Sequence, residues 1–110
     1  MVLLRSCWGI WIMSKYQIVQ TGRFKKDLKS MIKRGYNIDL LGFVVDTLAA
    51  GQELPAKYKD HALAGNYKGC RECHITPDWL LIYELDGDTL FLYLTRTGSQ
   101  SDLFYQNYLV

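Results

Sequence analysis

The chain holds two histidines, His61 and His74, and both stand among groups that could move protons or hold a phosphate. Asp60 precedes the first. Glu72 and Asp78 flank the second, and Lys59, Lys68, Arg71 and, further on, Arg96 supply positive charge. Imidazoles and carboxylates exchange protons near neutral pH, while Lys and Arg stabilise a phosphoryl group that gains charge. Acid–base cleavage of RNA needs that inventory: one group takes a ribose 2′ proton, another protonates the departing 5′ oxygen, and cations hold the phosphate between them.

The same stretch admits other chemistry. Cys70-Arg71-Glu72-Cys73-His74 matches the C-x-x-C-H pattern of c-type haem attachment and contains the C-x-x-C of redox and zinc sites. Haem attachment requires export, and the three methionines, Met1, Met13 and Met31, all lie upstream. A second cysteine pair for zinc is missing. On a strand, side chains alternate, so Cys70 and Cys73 point to opposite sides and cannot chelate together. The expectation is therefore no metal and no cofactor, with thiols that are buried or idle. That alternation also places Glu72 and His74 on one face, where a carboxylate can orient an imidazole. The plainer reading of either histidine is a side chain satisfied by a backbone partner.

These residues need a scaffold, and 110 residues make one domain. With 49% hydrophobic and 14% aromatic residues the chain should bury a core and not remain disordered. Its net charge of +2 conceals a division. Residues 1–34 carry eight Lys/Arg against one acid, and residues 35–110 carry five against ten. A polyanion would meet the first part.

Tyr16 to Thr21 alternates as a first strand. Between Gly22 and Arg34, Phe24, Leu28, Met31 and Ile32 recur at helical spacing. Lys25, Lys29 and Lys33 line another side four residues apart, a candidate RNA-binding stripe or simply a solvated face. Gly35 ends this helix. Asn37 caps a second, whose core face is Ile38, Leu41, Val44, Val45 and Leu48 and whose stop is Gly51. After Pro55 the period becomes alternating: strands are expected over 67–76, Trp79 to Leu85 and Leu90 to Arg96, with Asp86-Gly87-Asp88 as a hairpin turn. A helical turn from Ser99 to Phe104 closes the domain. The fold class is α+β: two helices on one face of a four-stranded, mainly antiparallel sheet in the order β-α-α-β-β-β.

The N-terminal MVLLRSCWGIWI is too short for a membrane span and lacks the cleavage site of a signal peptide. Residues 1–12 are expected to be an upstream extension, a poorly ordered tail or an extra strand-like edge, with 13–110 as the domain. Three cysteines without a disulfide framework suit a reducing, cytoplasmic location.

The words YKDHAL (58–63), GNYKGCRECHI (65–75), PDWLLIY (77–83) and RTGSQSDLF (96–104), in that order, resemble the YafQ-type toxins of the RelE/ParE superfamily, small bacterial endoribonucleases paired with an antitoxin. The resemblance implies a RelE-like fold and metal-independent cleavage of mRNA in the ribosomal A site, in which the ribose 2′-OH attacks the adjacent phosphate to leave a 2′,3′-cyclic phosphate and a 5′-OH. It aligns His61, Glu72, His74 and Asp78 with acid–base residues and Phe104 with an aromatic that positions substrate. It also implies phosphate binding by Arg96, with Lys68 and Arg71 as further candidates, and a cognate antitoxin of the ribbon-helix-helix type. At one place the chain departs from the family pattern, which commonly reads RTG-(S/T)-H: Gln100 stands where that histidine would be, and an amide cannot act as an acid–base catalyst. Either another group protonates the leaving oxygen, or cleavage is slow, or the protein is a weakened relative. The rival readings are a non-catalytic protein of the same fold that binds an antitoxin or DNA gyrase, and a haem or metal protein built on CRECH.

Overall fold

The computed structural model describes residues 2–5 and 11–105, with side chains described for 15–103. Two short strands, β1 (Val2–Arg5) and β2 (Trp11–Ser14), pair antiparallel as a separate two-stranded sheet. The main sheet has the order β3-β7-β6-β5-β4, from β3 (Gln17–Gln20), β4 (His61–Ala62), β5 (Arg71–Thr76), β6 (Trp79–Asp86) and β7 (Phe91–Ser99). β3 runs parallel to β7, and every other neighbouring pair is antiparallel.

Two helices, α1 (Gly22–Lys33) and α2 (Ile38–Ala49), follow β3, and their ends are written in the sequence. The Thr21 hydroxyl accepts from Phe24 N–H, and the Asn37 side chain accepts from Asp39 N–H, so each helix begins on a side-chain cap. Each ends on a glycine with positive φ, +83° at Gly35 and +79° at Gly51. Gly35 N–H bonds Ile32 O and Tyr36 N–H bonds Met31 O; Gly51 and Gln52 repeat the pattern on Leu48 and Thr47. These are paired Schellman bonds, which use up the last carbonyls of both helices.

The helices cover one face of the sheet. Phe24 and Met31 from α1 and Leu41, Val44, Val45 and Leu48 from α2 pack with Cys73, Ile75, Trp79, Leu81, Tyr83, Leu92 and Leu94. Cys73 is fully buried there, and burial pushes its thiol pKa up, so it is inert. Leu80, Ile82 and Leu103 form a smaller cluster on the opposite face, with Leu63, Tyr67 and Cys70 against it. β6 therefore has apolar cover on both sides, as its unbroken run of Trp79 to Tyr83 demands of a central strand.

Three expectations need correction. The sheet has five strands instead of four, because His61–Ala62 pairs with β5; two residues are too few to show a period of two. The strand expected from residue 67 begins at Arg71, since Gly65–Tyr67 forms a 3₁₀ turn and Gly69 adopts φ +93°. Ile32, grouped with the apolar stripe of this helix, is 54% exposed, because it lies at the flank of α1, about a quarter-turn round the helix from Phe24 and Met31. Among the described residues no helix is long and apolar enough to cross a membrane.

Candidate active site

β5 builds the site by alternation. Cys73 and Ile75 point to the helices, so Glu72 and His74 between them point to the opposite face. β4 adds the second histidine, because its register sets His61 directly across from Glu72. The Glu72 Oε1 atom lies 3.6 Å from His61 Nε2 and 3.7 Å from His74 Nε2. Exposure grades outward: the side chain of Glu72 is 7% exposed, His74 21% and His61 50%.

One hydrogen bond settles a tautomer. His61 Nδ1 is 2.7 Å from the Lys59 carbonyl oxygen, which can only accept, so Nδ1 carries a proton. In the neutral ring Nε2 then presents a lone pair toward Glu72, which is the form a general base requires. Burial raises the Glu72 carboxyl above its ordinary range, and the two imidazoles act in the opposite sense. A bare carboxylate facing a bare Nε2 is repulsive. A proton on either partner makes the contact attractive.

The other expected residues are distributed around this centre. Asp78 lies on the β5–β6 turn and accepts from the Tyr36 hydroxyl at 3.3 Å, next to Trp79, whose ring meets that of Tyr36 edge-on at 5.2 Å. Arg71 shares the face of Cys73, away from Glu72, and its Nε donates to Asp60 at 2.8 Å. Arg96 is held by Asp27 of α1 through two bonds, Nε to Oδ2 at 3.0 Å and Nη2 to Oδ1 at 3.1 Å. Lys68 and Gln100 are exposed, as are Lys25, Lys29 and Lys33 along α1. The backbone of Phe104 belongs to a π-helical turn, Ser101–Tyr105, but its side chain lies outside the described residues. Gln100 sits just before this turn, which is fixed by Asp102: its carboxylate accepts from Ser99 N–H at 2.9 Å and from Arg34 at 2.7 Å.

Two carboxylates that sequence reasoning left without a role have definite ones. β3 ends at Gln20, so β7 beyond Leu94 has no strand on that side. Asp27 takes over there, accepting Thr97 N–H at 3.2 Å as well as Arg96. Asp60 accepts from both Arg71 and the Tyr83 hydroxyl. Its only signal in sequence was adjacency to His61. Among the described residues no group of three His, Cys, Asp or Glu side chains is placed to hold a metal ion.

Residues 16–105 match the family model described as the bacterial toxin of type II toxin-antitoxin system, YafQ. The chain is similar to the mRNA interferase toxin YafQ of Escherichia coli K12, 41% identical over 93 residues that span 84% of this chain and 99% of the relative. Its fold is similar to the crystal structure of YafQ from E. coli BL21(DE3), with a TM-score of 0.76 and 40% identity over 81% of this chain and 98% of that one. It is also similar to the crystal structure of the E. coli DinJ-YafQ complex, with a TM-score of 0.74 and 39% identity over 81% of this chain and 98% of that one.

Proposed function

The chain belongs to the YafQ family of type II toxin-antitoxin toxins, and on that premise we propose that it is an endoribonuclease that cleaves mRNA at the ribosome by internal attack of the ribose 2′-OH. The observation that carries this reading is Glu72 Oε1, buried between the Nε2 atoms of His61 and His74 at 3.6 and 3.7 Å on the face that the helices leave open.

In this mechanism His61 is the base. Its Nδ1–H is committed to Lys59, so Nε2 takes the 2′ proton as the oxygen attacks phosphorus. The P–O5′ bond breaks, and His74 gives a proton to the departing oxygen, the task that Gln100 cannot perform. Glu72 stabilises whichever ring is charged, so both proton transfers run past one carboxylate. Arg96 and Lys68 hold the phosphate, and Arg96 must share its guanidinium with Asp27 to do so. Lys25, Lys29 and Lys33 meet ribosomal or messenger RNA along an exposed helix face. As E. coli YafQ is found with DinJ, this chain is neutralised by a cognate antitoxin, expected to be of the ribbon-helix-helix type.

The test is cleavage of a defined mRNA on programmed ribosomes by the purified full chain, with the new ends identified chemically. Products should carry a 2′,3′-cyclic phosphate and a 5′-OH. His61→Ala and His74→Ala should each slow cleavage by about tenfold or more while leaving the melting temperature and antitoxin binding unchanged. Intact mRNA with folded, antitoxin-binding protein would overturn the nuclease reading and leave a toxin fold that binds without cutting, the outcome that Gln100 would favour.

A further inference from the structure

The open question at the site is what keeps His61 in place. β4 is two residues long, and the His61 ring is half exposed. The preceding residue but one, Lys59, has φ +50°, a left-handed backbone unusual for a residue with a side chain. A strand this short cannot fix an edge residue by its ladder alone.

We propose that Asp60 is a positioning residue for His61, pinned by Arg71 and Tyr83 so that the Lys59 carbonyl and the His61 ring keep their catalytic geometry; this rests on the nuclease reading above. The geometry is specific. Asp60 and His61 are consecutive and point to opposite faces of the sheet. On its own face the Asp60 carboxylate receives Arg71 Nε on one oxygen, at 2.8 Å, and the Tyr83 hydroxyl on the other. Arg71 and Tyr83 face each other across β5 and β6, so the peg is driven into the two strands that also carry the site. The Tyr83 ring is 1% exposed and cannot swing away. Arg71 is the residue before Glu72, which makes the peg and the carboxylate between the histidines neighbours on one strand.

Fixing the Asp60 side chain fixes the peptide units on either side of it. The Lys59 carbonyl then holds His61 Nδ1–H, and that bond aims Nε2 at Glu72. His74 receives none of this, since it is carried by β5 itself and paired across from Leu80. Loss of the peg should therefore disturb one histidine and spare the other.

The experiment uses the full chain with Asp60→Asn and, as a milder second variant that removes only a hydroxyl, Tyr83→Phe. Long-range nitrogen–proton correlation of the imidazoles is recorded along a pH series carried upward until the signals stop moving, since the two tautomers of a neutral imidazole are distinguishable. The parent should show His61 protonated at Nδ1. Both variants should shift the His61 signals toward a mixture of tautomers, Asp60→Asn further than Tyr83→Phe, while the His74 signals stay put. On ribosomes, kcat should fall by about tenfold in Asp60→Asn with KM within about twofold, the split expected when a base is misplaced and substrate binding is not. Unmoved His61 signals in both folded variants would overturn the proposal, as would equal movement of His61 and His74, which signifies general loosening. A parent that cuts no RNA but shows the selective His61 shift would sink the nuclease reading and leave the peg standing.

Discussion

The two flanks of the sheet hold charge in opposite ways. At the β4–β5 edge, buried Glu72 faces two imidazoles, so the charge state of that cluster depends on where a proton sits. At the β7 edge, Arg96 is paired with Asp27 and Arg34 with Asp102, so opposite charges are already matched. On the proposed mechanism the first flank exchanges protons. The second is stapled, and a phosphate reaching Arg96 must compete with a carboxylate fixed on α1 by a bond to Thr97 N–H as well. The difference is one of pairing: the same kind of neighbour, an acid beside a base, is a matched ion pair when the base is an arginine and depends on a proton when the base is an imidazole.

The largest break in that contrast should come from Glu72→Gln. It keeps the shape, removes the charge shared by the two rings, and should slow cleavage by about a hundredfold. Stability should move the other way. Burial holds the folded Glu72 pKa above its unfolded value, so ionising it costs stability as pH rises through the folded pKa. The variant, neutral throughout, should therefore gain on the parent in melting temperature from about pH 4 toward neutrality. Thermal melts across that range check the sign. A variant that is both inactive and less stable at pH 7 would show that Glu72 is a structural ion-pair partner.

Gln100→His sharpens the contrast from the other flank, by giving the β7 edge a group that titrates. If leaving-group protonation limits the parent, cleavage should rise about tenfold and the pH–rate profile should acquire a limb near pH 6.5. An unchanged rate and profile would mean that another step limits.

How much of this was readable beforehand follows from distance along the chain. The helices were legible because their determinants are local: the Asn37 cap, the core face of α2, and Gly35 and Gly51 each act within a few residues. Glu72 and His74 were placed on one face by alternation alone, and Cys70 and Cys73 were separated by it. The convergence of His61 on Glu72 was not derivable from pattern, because it depends on a two-residue strand docking across a loop. The Arg96–Asp27 pair joins residues 69 apart, and nothing near Arg96 in sequence reveals that a carboxylate already holds it. Asp60 was visible as a neighbour of His61, but its work depends on Tyr83, 23 residues on.

A smaller effect is expected on α1. Reversing Lys25, Lys29 and Lys33 to Glu should weaken ribosome or RNA binding and flatten its salt dependence by about one unit of slope for each lost phosphate contact. An unchanged slope would mark the stripe as a solvated face. The smallest effect belongs to the stapled flank. The Asp102 carboxyl lies below its ordinary range: burial opposes this, but Arg34 and the Ser99 N–H outweigh it. Its contribution is therefore present above the unfolded pKa and lost as pH falls through the folded one. Asp102→Asn should lower the melting temperature by about 2–4 °C at neutral pH, a modest figure because the pair is substantially exposed, and should converge on the parent once pH falls below the folded pKa.

The central claim is that His61 and His74 work as one proton-transfer unit around Glu72, and single-turnover cleavage by the two single alanine variants and the double variant tests it most directly. Groups that act as a unit are not additive, so the account predicts that the double variant cleaves about as slowly as the worse single one. Multiplying losses, with the double variant slowed by the product of the two single effects, would contradict it and show two histidines acting independently.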